Sequence, residues 1–149
     1  MIAILFAFAT SAQNPIFEKG NTAINVGVGL GIRGLPVEVS AIYGIVDDLF
    51  RVDGLNLGVG GYFGFSSWKS GGLWTYGGYS ILPGVRGEVH YSIVDKLDFF
   101  GGVLLGFRVD NWDGYYYPGS TSSWHLSTGA YVGAKYFLTE NFGFFASVG

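Results

Sequence analysis

Apolar and small-or-polar residues alternate along most of this chain, and the small-or-polar positions are thick with glycine. The clearest stretch runs from Ile24 to Ile32. One face reads Ile24, Val26, Val28, Leu30 and Ile32, and the other reads Asn25, Gly27, Gly29 and Gly31. A period of two marks a strand, because successive side chains point to opposite faces. The same pattern predicts strands near 22–32, 37–46, 55–65, 79–91, 97–109, 124–137 and 142–149. The connections near 47–54, 92–96 and 138–141 are mostly short and carry Asp, Lys, Glu or Asn. Those over 66–78 and 111–123 are longer loops rich in Gly, Ser, Tyr and Trp, and the tight Arg33-Gly34-Leu35-Pro36 connection falls on their side. The fold class expected is all-β, an antiparallel up-and-down sheet.

In a water-soluble sandwich the apolar face meets a second sheet and the outward face carries charge. Here the second face is nearly free of side chains, which suits the crowded inside of a narrow closed barrel, and the aliphatic face then looks outward, into lipid. Composition agrees with that inversion. Hydrophobic residues make up 49% of the 149 residues and charged ones only 13%, against about 25% charged in a soluble domain. Outside the N-terminus no run of about 20 apolar residues offers a spanning helix, and the other architecture that satisfies its backbone in a membrane is the closed barrel. The expectation is a transmembrane β-barrel domain over 20–149. Such bacterial barrels have even strand numbers, and the strand pattern runs to Gly149 without a closing strand. The expected form is the eight-stranded class with about seven strands present, its interior just wide enough to be filled by side chains. A soluble ligand-binding barrel of lipocalin type would leave glycine dominating a solvent face with 13% charge, which fits poorly.

Residues 1–12 form a short apolar core ending in small residues, Thr10 and Ala12, placed for cleavage before Gln13. This is the form of an export signal, although no Lys or Arg precedes the apolar core. Export to a Gram-negative outer membrane is therefore expected. The aromatics fall into two groups. Trp68, Trp74, Trp112 and Trp124 flank the two long loops, with Tyr62, Tyr76, Tyr79 and Tyr115 to Tyr117. Tyr91, Phe99, Tyr136, Phe137, Phe142 and Phe144 lie toward the short turns. Two aromatic bands with an aliphatic middle match the girdles at the two bilayer interfaces.

Parity also sorts the charges. Glu38, Arg86, Glu88, His90, Asp98, Arg108 and Lys135 all fall on the glycine side. An Arg or Lys on the lipid side would cost about 2–4 kcal/mol at mid-bilayer. Inside, charges must pair, so a lumenal network of Glu38, Glu88 and Asp98 with Arg86, Arg108 and Lys135 is expected. The same pairs would gate an ion path if the barrel were a narrow porin-like channel. In the long loops Trp68, Trp74, Trp112, Tyr115, Tyr116 and Tyr117 are the candidate contacts for an extracellular ligand or surface, since Tyr, Trp, Gly and Ser together suit recognition. Gly29-Leu30-Gly31-Ile32-Arg33-Gly34 spells G-x-G-x-x-G, but that motif needs a helix after it, and Pro36, Val37 and Val39 read as a strand. No cofactor and no metal site is expected, because one His among scattered carboxylates is no ligand set. A net charge of −3 without a Lys/Arg cluster excludes nucleic acid as a partner, and the absence of cysteine excludes thiol chemistry. The partners expected are outer-membrane lipid and an external surface, with the barrel a monomer.

Three segments carry a family likeness: Leu82-Pro83-Gly84-Val85-Arg86-Gly87-Glu88-Val89-His90-Tyr91, Leu97-Asp98-Phe99-Phe100-Gly101-Gly102-Val103-Leu104-Leu105-Gly106, and residues 133–143 from Gly133 to Gly143. They resemble the small outer-membrane β-barrel proteins common in Bacteroidota, distantly akin to the OmpA-type transmembrane domain. That resemblance implies outer-membrane location and little about chemistry. His125-Leu126-Ser127, with Glu140 further along, also resembles the His-x-Ser element of outer-membrane lipid A deacylases, where His is base to Ser. Its flanking residues differ and parity turns both side chains away from lipid, so no catalytic residue is assigned. The function expected is a structural or surface-adhesive barrel with a narrow or filled lumen.

Overall fold

A computed structural model of the chain describes residues 2–9, 17–30, 35–70, 76–94, 96–114, 117–139 and 142–149. Its strands are β1 (Ile2–Ala9), β2 (Thr22–Leu30), β3 (Leu35–Val46), β4 (Leu55–Ser70), β5 (Tyr76–Val94), β6 (Leu97–Gly114), β7 (Tyr117–Phe137) and β8 (Phe142–Val148). From Thr22 onward, β2 to β8 form one antiparallel meander of seven strands that curls on itself. β1 pairs with both ends of it, Ile4 opposite Val28 of β2 and Ala146 of β8, and so closes the sheet. The apolar residues read as the core of an export signal thus lie here as a strand. Helix is almost absent: among the described residues it is a 3-10 turn at Leu49–Arg51. A strand, not a helix, follows the G-x-G-x-x-G stretch.

Burial follows the period-two pattern. On β3, Glu38, Ser40 and Ile42 are buried, while Val37, Val39 and Tyr43 are exposed. On β6, Asp98 and Phe100 are buried, while Phe99, Val103, Leu105 and Phe107 are exposed. The glycine face is the inner one, but it is not free of side chains. The rings of Phe100, Phe145 and Tyr131 pack together inside. A Cβ on Gly133 would come within 2.9 Å of the Phe100 ring, and one on Gly102 within 2.7 Å of the Tyr131 ring. Inward glycines on one strand are therefore seats for rings that reach across from the next.

The two long loops expected over 66–78 and 111–123 are largely strand. β4 and β5 stay paired from Leu55–Tyr91 to Ser70–Tyr76, and β6 and β7 from Leu97–Tyr136 to Gly114–Tyr117. These arms carry polar residues on both faces (Ser66 beside Ser67, Ser122 beside Ser123), so the apolar alternation vanishes while the ladder of backbone hydrogen bonds continues. Trp, Tyr and Thr, which favour pleated surfaces, support it. Phe137, placed by sequence in the turn-side aromatic band, is instead buried, because it shares inward parity with Lys135.

At the turn side a short strap enters the barrel end. Gly20 N–H donates to the Gly44 carbonyl (3.0 Å), Gly44 N–H to Asn21 (2.9 Å), and Asn21 N–H to Glu18 (3.1 Å). Gly44 has to be glycine, since a Cβ there would overlap the Glu18 carbonyl. The strap puts Phe17 against Ala23 and Ile42. Asn56 pins it: its Nδ2 donates to the Phe17 carbonyl, and its Oδ1 accepts from the Asp48 N–H at 3.2 Å.

Gly102→Ala is expected to destabilise the fold by about 1–3 kcal/mol through overpacking. At Gly87 a Cβ meets nothing within 4 Å, so Gly87→Ala is expected to change stability by less than about 0.5 kcal/mol. Reversible urea unfolding of the two variants checks the contrast.

Candidate functional site

The inward residues of β3 to β7 converge on one buried cluster. Register sets it: Glu88 lies opposite Gly58 and Gly102, His90 opposite Asn56 and Phe100, and Asp98 opposite Lys135. The glycines beside Glu88 leave the space that larger side chains then enter. Glu88 is the centre. Its Oε2 lies 3.1 Å from His90 Nε2 and 3.9 Å from Lys135 Nζ. Its Oε1 accepts from the Tyr131 hydroxyl at 2.9 Å and lies 3.4 Å from Arg86 Nε.

Arg86 links this centre to a second carboxylate. Its Nε donates to the Tyr131 hydroxyl (2.8 Å), and its Nη1 donates to Ser40 (3.3 Å) and lies 3.8 Å from Glu38 Oε1. The Tyr62 hydroxyl donates to Glu38 Oε2 at 3.1 Å. The guanidinium sits 4.0 Å from the Tyr131 ring centroid and 5.1 Å from that of Tyr62, so both rings add cation–π attraction in a dry setting. On the other side, His90 Nδ1 is 2.7 Å from Asp98 Oδ2, and the imidazole stacks on Phe17 with centroids 4.1 Å apart. Lys135 Nζ lies 4.9 Å from the Phe100 ring centroid.

Of the six residues expected in a lumenal network, the structure joins five: Glu38, Arg86, Glu88, Asp98 and Lys135, with His90 bridging Glu88 to Asp98. Arg108 stands apart. Its buried Nε has no hydrogen-bond partner among the described residues, because it lies further toward the arms, where Glu38 already serves Arg86 and Tyr62. Tyr62, expected in the aromatic band at the long loops, turns inward instead and with Tyr131 completes the network. The available signal was parity: Tyr62 shares a face with Gly58, Gly60 and Gly64.

The lumen is unequal along its length. Toward the turns, Phe17, His90, Phe100 and Phe145 fill it. Toward the arms lies a cavity of about 300 Å³ lined by Glu38, Tyr62, Arg86 and Tyr131 below and by Leu82, Leu104 and Arg108 around.

The expected surface contacts fare differently. Trp68 and Trp112 face each other across Gly78, ring centroids 5.2 Å apart and edge-on. Trp74, Tyr115 and Tyr116 fall outside the described residues, and Tyr117 is described only as the first residue of β7. Trp124, at 73% exposure, is among the most open rings. His125 Nε2 lies 3.4 Å from Asp110 Oδ2, while Ser127 lines the cavity. No hydrogen bond joins His125 to Ser127 among the described residues, and Glu140 is outside them. Among the described residues no group of three or more His, Cys, Asp or Glu could hold a metal ion. No protein-family model matches this chain, and no curated protein or solved structure is similar enough to count as a relative.

Breaking a buried pair from one side costs about 3–5 kcal/mol. Glu88→Gln is expected to reach that range, because a guanidinium, an ammonium group and an imidazole share that carboxylate. Glu38→Gln, with one cation beside it, is expected to cost less. Equilibrium unfolding of both variants tests the order, and raising salt from about 0.1 to 1 M should leave the gap unchanged, since buried pairs are little screened.

Proposed function

We propose that this chain is an outer-membrane β-barrel of the eight-stranded class, with a structural or surface-contact role, no catalysis of its own and no through-going pore. The observation that carries this reading is the inverted polarity of the sheet. Glu38, Arg86, Glu88, Asp98 and Lys135 are buried inside, while Val26, Val39, Val59, Val85, Val103, Leu105 and Val132 are exposed outside. From Tyr79 to Tyr91 the outward positions of β5 are Tyr79, Ile81, Pro83, Val85, Gly87, Val89 and Tyr91. At about 3.3 Å per residue and a tilt of about 40°, that stretch rises about 30 Å along the barrel axis. The hydrocarbon core of a bilayer is about as thick. In water such a band would be a continuous apolar surface far beyond what soluble monomers expose.

Aromatic residues border the band. Phe65 stacks with Tyr79 at 6.4 Å on the arm side, and Tyr43, Tyr91, Phe99, Tyr136 and Phe144 are exposed or nearly so toward the turns. These borders support the reading as a small Bacteroidota-type barrel, in which the arms would lie outside the cell, where long connections lie in such proteins. The arms, with Trp124 open, are then the surfaces that meet an external partner. Against a conducting pore stands the ring-filled turn-side half of the lumen.

Val103→Arg, at the middle of the band, is expected to weaken folding into lipid vesicles by about 2–4 kcal/mol. Val52→Arg, at the turns, is expected to have little effect. The readout is the mobility shift on boiling in SDS gels, which a closed barrel shows because its backbone groups are paired between strands. In planar bilayers the folded protein is expected to give no stepwise conductance. A water-soluble monomer that tolerates Val103→Arg and shows no boiling shift would contradict the reading.

A further inference from the structure

We propose that the arm-side cavity is a binding site for a small monocarboxylate, its head group on Arg108 and its short apolar tail on Leu82 and Leu104. The inference rests on the reading of the chain as a folded barrel. The cavity is a dead end: Glu38, Arg86, Tyr62 and Tyr131 form its floor, and rings fill the lumen below. Among the described residues the cation of its wall is Arg108. Arg108 Nε is buried without a hydrogen-bond partner among the described residues, whereas of the carboxylates on either side Glu38 accepts from Tyr62 at Oε2 and lies 3.8 Å from Arg86 at Oε1, and Asp110 lies 3.4 Å from His125. A planar guanidinium presents two parallel donors that match a carboxylate. Beside it Leu82 and Leu104, inward neighbours on β5 and β6, give an aliphatic wall: a Cβ on Gly106 would stand 3.1 Å from Leu82 Cδ1, and one on Gly84 3.3 Å from Leu104 Cδ1. A buried donor next to an apolar wall selects a ligand that is anionic at one end and aliphatic at the other. The volume of about 300 Å³ is at the small end of ligand cavities, which favours a short-chain acid over a long one.

The test uses the full chain, isotope-labelled at leucine methyls and folded in lipid nanodiscs, with the boiling shift checked first on the same sample. Hexanoate, hexyl phosphate and hexanol are titrated in turn. The expected result is saturable shifts of the Leu82 and Leu104 methyls by hexanoate, with direct contacts between its chain protons and those methyls. Hexanol is expected to bind at least about tenfold more weakly, and Arg108→Gln to lose about tenfold for hexanoate, the worth of one charge-assisted hydrogen bond. Arg51→Gln, at the exposed turn end, is expected to leave binding unchanged. Hexanol binding as well as hexanoate, or undiminished hexanoate binding by Arg108→Gln, would overturn the site. Hexyl phosphate binding more tightly than hexanoate would overturn its assignment to a carboxylate. If Arg108→Gln does not fold, the contacts and the alcohol comparison in the unaltered chain decide. A sample with the boiling shift but no contacts refutes this site alone, whereas one with no shift refutes the barrel beneath it.

Discussion

Glu88 stands in the middle of the lumen with a guanidinium, an imidazole and an ammonium group around its two oxygens. A carboxylate so buried is tolerable only when surrounded in this way, and removing one partner leaves a charge with nowhere to go. The pairing in turn requires the strands to hold their register, since His90, Arg86 and Lys135 reach Glu88 from set positions on β5 and β7. A slip of one residue on β5 would turn Arg86, Glu88 and His90 to the outside and Val85 and Val89 to the inside. The charged cluster and the apolar outer face are thus one constraint seen from two sides.

Glycine makes that arrangement sterically feasible. Tyr131 reaches both Arg86 and Glu88 because Gly102 leaves its ring a place to lie, and Phe100 packs on Phe145 because Gly133 does the same. At the turn end, Gly44 admits the strap that carries Phe17 onto His90. The interior is accordingly stratified: rings at the turn end, paired charge in the middle, and open space toward the arms. On the proposed reading, traffic through the barrel is blocked from the periplasmic side while the external side keeps a pocket and two projecting hairpins.

Much of this was legible in the alternation of residues. Strand parity puts Glu38, Arg86, Glu88, Asp98 and Lys135 on one face, and all five are buried, because a period of two is a local property. What parity does not carry is which residues on different strands stand opposite each other. The glycine face therefore looked empty, although the rings of Tyr62 and Tyr131 occupy it, and Arg108 looked paired, although it lies beyond the reach of the cluster. The arms escaped notice for a different reason. Residues 66–69 and 121–123 carry polar side chains on both faces, and a hairpin of that composition leaves no periodic trace. The strap was invisible too, since Phe17 makes sense only beside Asn56 and Gly58, some forty positions later.

A barrel held in a bilayer must have the outer face of its sheet in contact with lipid. The chain contains no cysteine, so single cysteines at Val103, Leu105 and Val132, and at Lys69 and Lys96 for comparison, accept a spin label without background. In lipid vesicles, collision rates with oxygen and with a water-soluble nickel chelate separate hydrocarbon from solvent at each position. The account predicts high oxygen and low nickel accessibility at Val103, Leu105 and Val132, and the reverse at Lys69 and Lys96. Nickel accessibility at Val103 and Leu105 equal to that at Lys96 would mean that the aliphatic face meets water, and the account would be wrong.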